Sequence, residues 1–474
     1  MEKIYTSETS STLTSWHWRS LPLKNRTASA VFSALFINED IATLLESPDL
    51  VDTEYPHLSR YSICGGAPRI INGKAQLWTP ATGEMLPFLR SLLQGSTTNN
   101  PEVAHLPFTG GWLGWVGYDL AWEIERLPKK NQDTLPFPVA YWYEPDCFAV
   151  IDRLEQTLWL AATNTWQLDS MEKLLDSASL HPCTGEPPFA PTPSITFLTS
   201  RQQYQNAVKR AKQYILAGDI FQTNLSLRFQ TTTAKDSWSI YQHLQQINPS
   251  PFASYWRSPW GDLVSCSPER LIQLEGNEAQ TRPIAGTRKR GQDPKSDRAL
   301  AVELLANTKE RAEHIMLVDL ERNDLGRVCQ WGSVEVNELF VIERYSHVMH
   351  LVSNVVGRLQ SGCDAVDLIR SVFPGGTITG CPKVRCMEII EELEPVSRNL
   401  FYGSCGYLDC RGNLDLNILI RTLLYVKPEN SDLANVYGQV GSGIVADSNP
   451  EKEWHESLNK AQAQITALQL ITNY

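Results

Sequence analysis

Long apolar runs are missing from this 474-residue sequence: nothing approaches the roughly 18 consecutive apolar residues that a membrane-spanning helix requires, so no membrane partner is expected. The opening segment, MEKIYTSETSSTLTSWHW, has no basic stretch followed by an apolar one, so a secretory signal is not expected either and the cytoplasm is the expected compartment. Ten cysteines are present, but no C-x-x-C pair and no compact framework, which reads as buried reduced thiols rather than disulfides or a zinc site. Positive charge is in deficit. With 42 Lys and Arg against 53 Asp and Glu the formal charge is −11, and such a chain lacks the basic face that a nucleic-acid partner demands. No Ser-His-Asp order, nucleophile elbow, internal repeat or low-complexity tract is found. GGTITGCPK (375–383) matches a phosphate loop only loosely, because Cys-Pro stands where Gly should precede the lysine.

What is present is ordinary globular composition, 42% hydrophobic and 20% charged, in a chain longer than the usual single-core limit of about 250–300 residues. The segment HPCTGEPPFAPTPS holds five prolines in fourteen residues and can continue neither a helix nor a central strand, so 181–195 is expected to be a linker between regions 1–180 and 196–474. Before it, CFAVIDRL and TLWLAAT have strand character. After it, RQQYQNAVKRAKQYILAGD has helical periodicity and a stop at Gly218. DRALAVELLANTKERAEHIMLVDL reads as one long helix, AVDLIRSVF and KVRCMEIIEEL as shorter ones. LDLNILIRTLLYV reads as a single strand, and CRGN at 410–413 as a hairpin turn. Asn449 or Ser448 should cap a last helix that carries Pro450 in its first turn. Strand clusters separated by helices favour an α+β arrangement.

Two acidic pairs stand out. Glu310 and Glu313, and likewise Glu453 and Glu456, are three apart on predicted helices and share a face. Each pair alone suits a solvated surface; together they suit one hard cation such as Mg²⁺, which takes one or two carboxylates and keeps water or substrate oxygens. TRPIAGTRKRG (281–291) crowds four basic side chains around an Ala-Gly-Thr turn and suggests a small anionic ligand. GQVGSGIV (438–445) reads as a tight glycine hairpin whose N–H groups can face an oxyanion. Arg421 is a lone charge in an apolar stretch and demands an anionic partner. Tyr402, His350 and Glu269 are candidates for orientation or proton transfer.

These residues resemble the chorismate-using enzymes, the family of anthranilate synthase component I, aminodeoxychorismate synthase component I, isochorismate synthase and salicylate synthase. The resemblance rests on SPERL (267–271), RPIAGTRKRG (282–291), KERAEHIMLVDLERNDLGRV (309–328), YSHVMHLVS (345–353), FPGGTITGCPKVRCMEIIEELEP (373–395), YGSCGYLD (402–409) and GSGIVADS (441–448). It implies two packed antiparallel sheets flanked by helices, with 1–180 an N-terminal region interleaved against a chorismate-binding catalytic region 196–474. It implies Mg²⁺ on Glu313 and Glu456, with Glu310 and Glu453 near it through water. Chorismate carboxylates would then meet the metal, Arg421, Tyr402 and main-chain groups of Gly286, Thr287, Gly441, Ser442 and Gly443, with the basic run sharing in their neutralisation. Glu269 is implied as the acid for the departing hydroxyl, Lys383 as a further proton donor or base, and His350 and Thr377 as orienting groups.

Members that add water resemble one another in a lysine that activates it; Gln222 stands at that place in GDIFQTNLSLR. Glutamine takes no proton, so ammonia from a separate glutamine amidotransferase subunit is the implied nucleophile. Ala285 resembles anthranilate synthases, because aminodeoxychorismate synthases carry a lysine there. FPGGTITG, GWVGYDLAWEIERLP (114–128), LSRYSICGGAPR (58–69) and GIVADS resemble the aminodeoxychorismate branch, which is the reading preferred. Ser47 in TLLESP, Arg60, Tyr61 and Ser62 in SRYSI, and Pro251 and Phe252 in NPSPF resemble parts of a tryptophan effector pocket. A non-catalytic regulatory or scaffold subunit is the remote alternative.

Overall fold

The computed structural model describes residues 16–47, 59–94, 100–177, 194–345 and 348–469. Two sheets form its centre, and every strand pair between them is antiparallel. The larger runs His17–Pro22, Thr157–Ala162, Cys147–Asp152, Tyr61–Gly65, Ala42–Glu46, Phe252–Ser258, Gly261–Ser267, Thr422–Val426, Ala434–Ile444, Gln222–Thr233, Thr196–Phe197. The smaller runs Ile284–Lys289, Val348–Arg358, Glu278–Thr281, Arg270–Glu275, Leu414–Asn417, Ser404–Asp409, Gly111–Val116, Ala140–Tyr143, Leu77–Trp78, with Glu335–Arg344 also on Val348–Arg358. Strands from before residue 181 and after residue 195 share both sheets, as the α+β expectation of an interleaved pair of antiparallel sheets requires. Of 181–195 itself, only Ser194 and Ile195 lie among the described residues.

The sheets face each other across a buried aromatic layer in which Trp115 of the smaller meets Trp256 of the larger at 5.7 Å between ring centroids. A second core lies on the other face of the larger sheet, under the Arg201–Leu216 and Pro450–Gln469 helices. Their starts follow from sequence: Ser200 forms a capping box with Gln203, and Asn449 Oδ1 accepts from the N–H groups of Glu451 and Lys452.

Two predicted continuous elements are broken, and each break builds the site. The long helix divides into Pro294–Ala306 and Thr308–Gly326 because Asn307 leaves helical geometry (φ −70°, ψ 105°) and its side chain accepts from Glu310 N–H at 3.1 Å. Glu310 therefore sits in a first turn, where a carboxylate suits the helix dipole. The predicted strand LDLNILIRTLLYV divides into Leu414–Asn417 in the smaller sheet and Thr422–Val426 in the larger, with Arg421 at the crossing in left-handed backbone (φ 53°). CRGN is the expected hairpin turn, with Gly412 at φ 90°.

A second crossing runs beside the first, from Gly261–Ser267 in the larger sheet to Arg270–Glu275 in the smaller, and it carries Glu269. The two are stitched together: Ser267 Oγ donates to Ile418 O at 2.6 Å, Ile418 N–H to Glu269 O at 3.0 Å, and Cys266 N–H to Arg421 O at 3.2 Å. Chains that switch sheets make corners between packed sheets. Here the two crossings carry Arg421 and Glu269 respectively.

Candidate active site

The cation at this corner has no partner among the described residues. Arg421 is half-buried, its guanidinium makes no ion pair or hydrogen bond, and burial lowers its pKa against the opposing pull of Tyr402 and Glu456. Tyr402 is buried, also in left-handed backbone (φ 66°), and its hydroxyl is without a hydrogen bond. Strained non-glycine backbone at two adjoining polar residues is the sort of local cost that functional sites retain. Tyr402 is held from below by Arg398, whose guanidinium lies 4.5 Å from the Tyr402 ring centroid and bonds Glu394, Ile378 O and Asn224 O.

The basic run is a strand rather than a turn. Ile284–Lys289 pairs with Val348–Arg358 and bulges at Gly286. Its three arginines are already neutralised within the chain: Arg282 by Glu338 and Glu343, Arg288 by Glu303 and Glu310, Arg290 by Asp297, while Lys289 is exposed. The expectation that these arginines neutralise an anionic ligand is therefore corrected; Arg421 is an arginine left for one. Gly286 instead makes room, since a β-carbon there would stand 2.3 Å from Glu310 Oε2. Thr287 Oγ1 meets His350 Nδ1 at 2.9 Å, and burial, aided by Arg421, lowers the His350 pKa to about 4, so its imidazole is neutral at neutral pH.

The glycine segment 438–445 is likewise no hairpin. Gly441, Ser442 and Gly443 lie inside Ala434–Ile444, paired with Gln222–Thr233. The neighbour on the other side, Thr422–Val426, ends its register at Gly438, because the chain leaves there for the Arg421 crossing. Residues beyond Gly438 thus keep an open main-chain edge. The Ser442 hydroxyl turns inward to Tyr204 OH at 3.0 Å, leaving only its main chain for a ligand. Gln222 opens its strand and is buried; its Nε2 lies 2.6 Å from where a β-carbon on Gly443 would be, and its Oε1 has no partner.

Glu269 is buried, and burial pushes its carboxyl up to about 7, with the Thr377 hydroxyl, the Ile284 N–H and Lys460 opposing. A carboxyl so placed is protonated near neutrality and can donate. Thr377, in the short helix Gly376–Thr379, has a buried hydroxyl, and its carbonyl accepts from Asn224 Nδ2 at 3.3 Å.

Glu310, Glu313 and Glu456 come within electrostatic reach of one another: burial raises the Glu313 pKa, Lys309 opposes, and Glu310 and Glu456 add to the rise. Glu310 meets Arg288 at 2.8 Å, Glu313 meets Lys309 at 3.5 Å and Glu456 meets Lys460 at 2.8 Å. Glu453 is buried beside Tyr204 with an unbonded Oε2. Among the described residues no three acidic, His or Cys side chains are gathered tightly enough to form an all-protein cage. Mg²⁺ needs only one or two carboxylates, and Glu310 Oε2, buried without a hydrogen bond, is an acceptor awaiting a partner, so the residues fit that ion.

Lys383 is held by groups of the chain itself. Its Nζ bonds Asp324 Oδ2 and Val372 O, each at 2.6 Å, and faces a cavity of about 650 Å³ lined also by Phe221, Met316, Asn323 and Cys381. Of the predicted effector residues, Ser47, Tyr61, Ser62, Pro251 and Phe252 line one cavity of about 110 Å³, whereas Arg60 turns to a bidentate pair with Asp152.

Sequence reasoning missed Asn224, Arg398, Glu321 and Lys460. Asn224 had a signal: Gln222, Asn224 and Ser226 alternate along a strand and so share one polar face. Lys460 pairs with Glu456 four residues before it on the same helix, which spacing allows, but its bond to Gly441 O at 3.1 Å is one that no spacing foretells.

A family model described as chorismate binding enzyme matches residues 61–466. The chain is 60% identical over 462 residues to an anthranilate synthase component I-like protein of Synechocystis, covering 96% of this chain and 92% of that protein. It is 43% identical to aminodeoxychorismate synthase component 1 of Bacillus subtilis, covering 87% and 90%. Anthranilate synthase component 1 of the same Synechocystis strain is 41% identical, covering 79% and 78%. Among solved structures, anthranilate synthase component I of Streptococcus pneumoniae superposes with a TM-score of 0.71 at 27% identity, covering 98% of this chain and 95% of that one.

Proposed function

The chain belongs to the chorismate binding enzymes, and from that premise we propose that it aminates chorismate to 4-amino-4-deoxychorismate, with ammonia supplied by a separate glutamine amidotransferase subunit. Membership makes it an enzyme acting on chorismate, and the scaffold alternative falls. The observation that carries the reading is Arg421: an unpaired guanidinium at a sheet crossing, opposite acidic side chains and beside Tyr402, has the chemistry to hold a carboxylate of an anionic ring acid.

In this reading Arg421 and Tyr402 orient the substrate, while the open edge at Gly441 to Gly443 and the Gly286 bulge receive its oxygens. Glu313 and Glu456, with Glu310 and Glu453 close by, would hold Mg²⁺, which would supply positive charge for a substrate carboxylate. Glu269, protonated near neutrality, gives its proton to the departing ring hydroxyl. Neutral His350, fixed by Thr287, and Thr377 orient that group. Gln222 lines the approach without being able to deprotonate water, which leaves ammonia as the attacking group.

Retention of the pyruvyl ether is supported by the Bacillus subtilis aminodeoxychorismate synthase, 43% identical against 41% for the Synechocystis anthranilate synthase; the 60% identical Synechocystis relative is named for its likeness to anthranilate synthase and speaks for the second reading. Ala285 favours the second reading, anthranilate and pyruvate, since it puts a methyl group where a nucleophilic lysine would stand. Incubation with chorismate, Mg²⁺ and ¹⁵N-ammonium tests amination: the label should enter the ring product, and an unlabelled hydroxylated product would contradict it.

A further inference from the structure

Behind Glu269 lies a second buried carboxyl that the proposed chemistry does not use. Glu321, on the Thr308–Gly326 helix, is 5% exposed, as is Glu269, and its Oε2 has no hydrogen bond. Its other oxygen rests against Gly376, where a β-carbon would stand 3.3 Å from Oε1. The next residue is Thr377, whose hydroxyl acts on Glu269. One dipeptide, Gly376-Thr377, therefore has Glu321 on one side and Glu269 on the other.

On its far side Glu321 is followed one helical turn later by Asp324, which holds Lys383 Nζ at 2.6 Å. Asp324 and Lys383 both line the cavity of about 650 Å³. The groups facing Glu321 are thus Asp324, Lys383, Glu269 and the Thr281 hydroxyl; those facing Glu269 are Thr377, the Ile284 N–H, Lys460 and Glu321.

Building on the amination reading, we propose that Glu321 is a positioning residue that reloads Glu269 with its proton, and that the Asp324–Lys383 pair is the outer end of this relay at the second cavity. The step balances simply. The C–N bond to ammonia forms as the ring C–O bond breaks, and the hydroxyl leaves as water with the proton of Glu269; the Glu321 carboxyl passes its proton to the Glu269 carboxylate; Glu321 regains one from solvent through Asp324 and Lys383. One proton enters per water released and leaves on the product, whose new amine departs as an ammonium group; no electrons move. The arrangement answers a physical difficulty, since Glu269 is buried beneath the substrate and would otherwise be left as an anion without direct access to water. Burial and the neighbouring Asp324 raise the Glu321 pKa, which keeps it charged with a proton to give. The same placement gives Lys383 a role at the relay's end in place of the one at the ring.

The test compares the full chain with Glu321→Gln and Glu321→Asp, using chorismate, ammonium and Mg²⁺. Glutamine keeps the shape but carries no transferable proton. We expect Glu321→Gln to retain the KM for chorismate, to lose about 10- to 100-fold in kcat, to show a larger solvent deuterium effect on kcat, and to move the alkaline limb of the kcat–pH profile to lower pH. Glu321→Asp should recover part of kcat. Should Glu321→Gln prove unstable, Lys383→Met must reproduce the raised deuterium effect from the outer end. A parent-like kcat and pH profile in Glu321→Gln, with the parent turning over chorismate, overturns the relay alone; a parent that leaves chorismate untouched overturns the amination reading on which it rests.

Discussion

Gly286 and Glu310 are in van der Waals contact across the smaller sheet's edge, so closely that any side chain at 286 would overlap the Glu310 carboxylate. The contact ties the RPIAGTRKRG strand to the acidic helix and explains why the residue after Ala285 lacks a β-carbon. Gly286→Ala should push Glu310 aside, lowering stability by about 1–3 kcal/mol as overpacking does. A denaturant midpoint measures the first effect; a higher Mg²⁺ concentration for half-maximal turnover, titrated in the same variant, measures the displacement of Glu310.

Arg421 should behave as a residue kept for a ligand rather than for folding. Arg421→Ala removes a desolvated, unpaired charge, so the denaturation midpoint of the ligand-free protein should hold or rise, while kcat/KM for chorismate falls roughly 10- to 150-fold, the equivalent of about 1.5–3 kcal/mol of charge-assisted hydrogen bonding. Arg421→Lys should recover only part of this, because the fork that grips a carboxylate from two sides is lost.

Glu269 sets the pH dependence. Its carboxyl is raised by burial from the ordinary range to about 7, so the donating form prevails below that pH and kcat/KM should fall as pH rises through it. Because the folded-state pKa lies above the unfolded one, the stability linked to protonation is fully present below the ordinary carboxylate range and is lost as pH rises from there to about 7. Glu269→Gln should abolish that stability trend and lower kcat by about 10²- to 10⁴-fold. Midpoints and rates measured between pH 5 and 9 report both.

Chelation should stop turnover and Mg²⁺ should restore it in the parent. Glu313→Gln and Glu456→Gln should not be restored, yet their folding should change little, because the pairs they break with Lys309 and Lys460 are solvent-exposed and contribute at most about 1 kcal/mol. Calorimetric titration of Mg²⁺ in the presence of chorismate distinguishes lost metal binding from lost fold.

Much of this architecture was written locally in the chain. Asn449 and Pro450 announce the last helix, Ser200 and Gln203 the one after the linker, and the CRGN turn its hairpin. The class of ligand was legible from the ordered motifs. What was hidden is tertiary. An apolar run such as LDLNILIRTLLYV carries no mark of where one sheet hands it to another, so the crossing that exposes Arg421 was invisible. Arg282, Arg288 and Arg290 looked like a ligand's counter-charge because their acidic partners, from Asp297 to Glu343, come from other elements. The partner of Lys383 was hidden for the same reason: Asp324 is 59 residues away.

The central claim is amination of chorismate with the pyruvyl group retained. The direct measurement follows product fluorescence and mass as the chain consumes chorismate with ammonium and Mg²⁺, before and after addition of an aminodeoxychorismate lyase. The account predicts a product of chorismate mass with hydroxyl replaced by amine, yielding p-aminobenzoate only once the lyase is present. Anthranilate and pyruvate appearing without the lyase would contradict it.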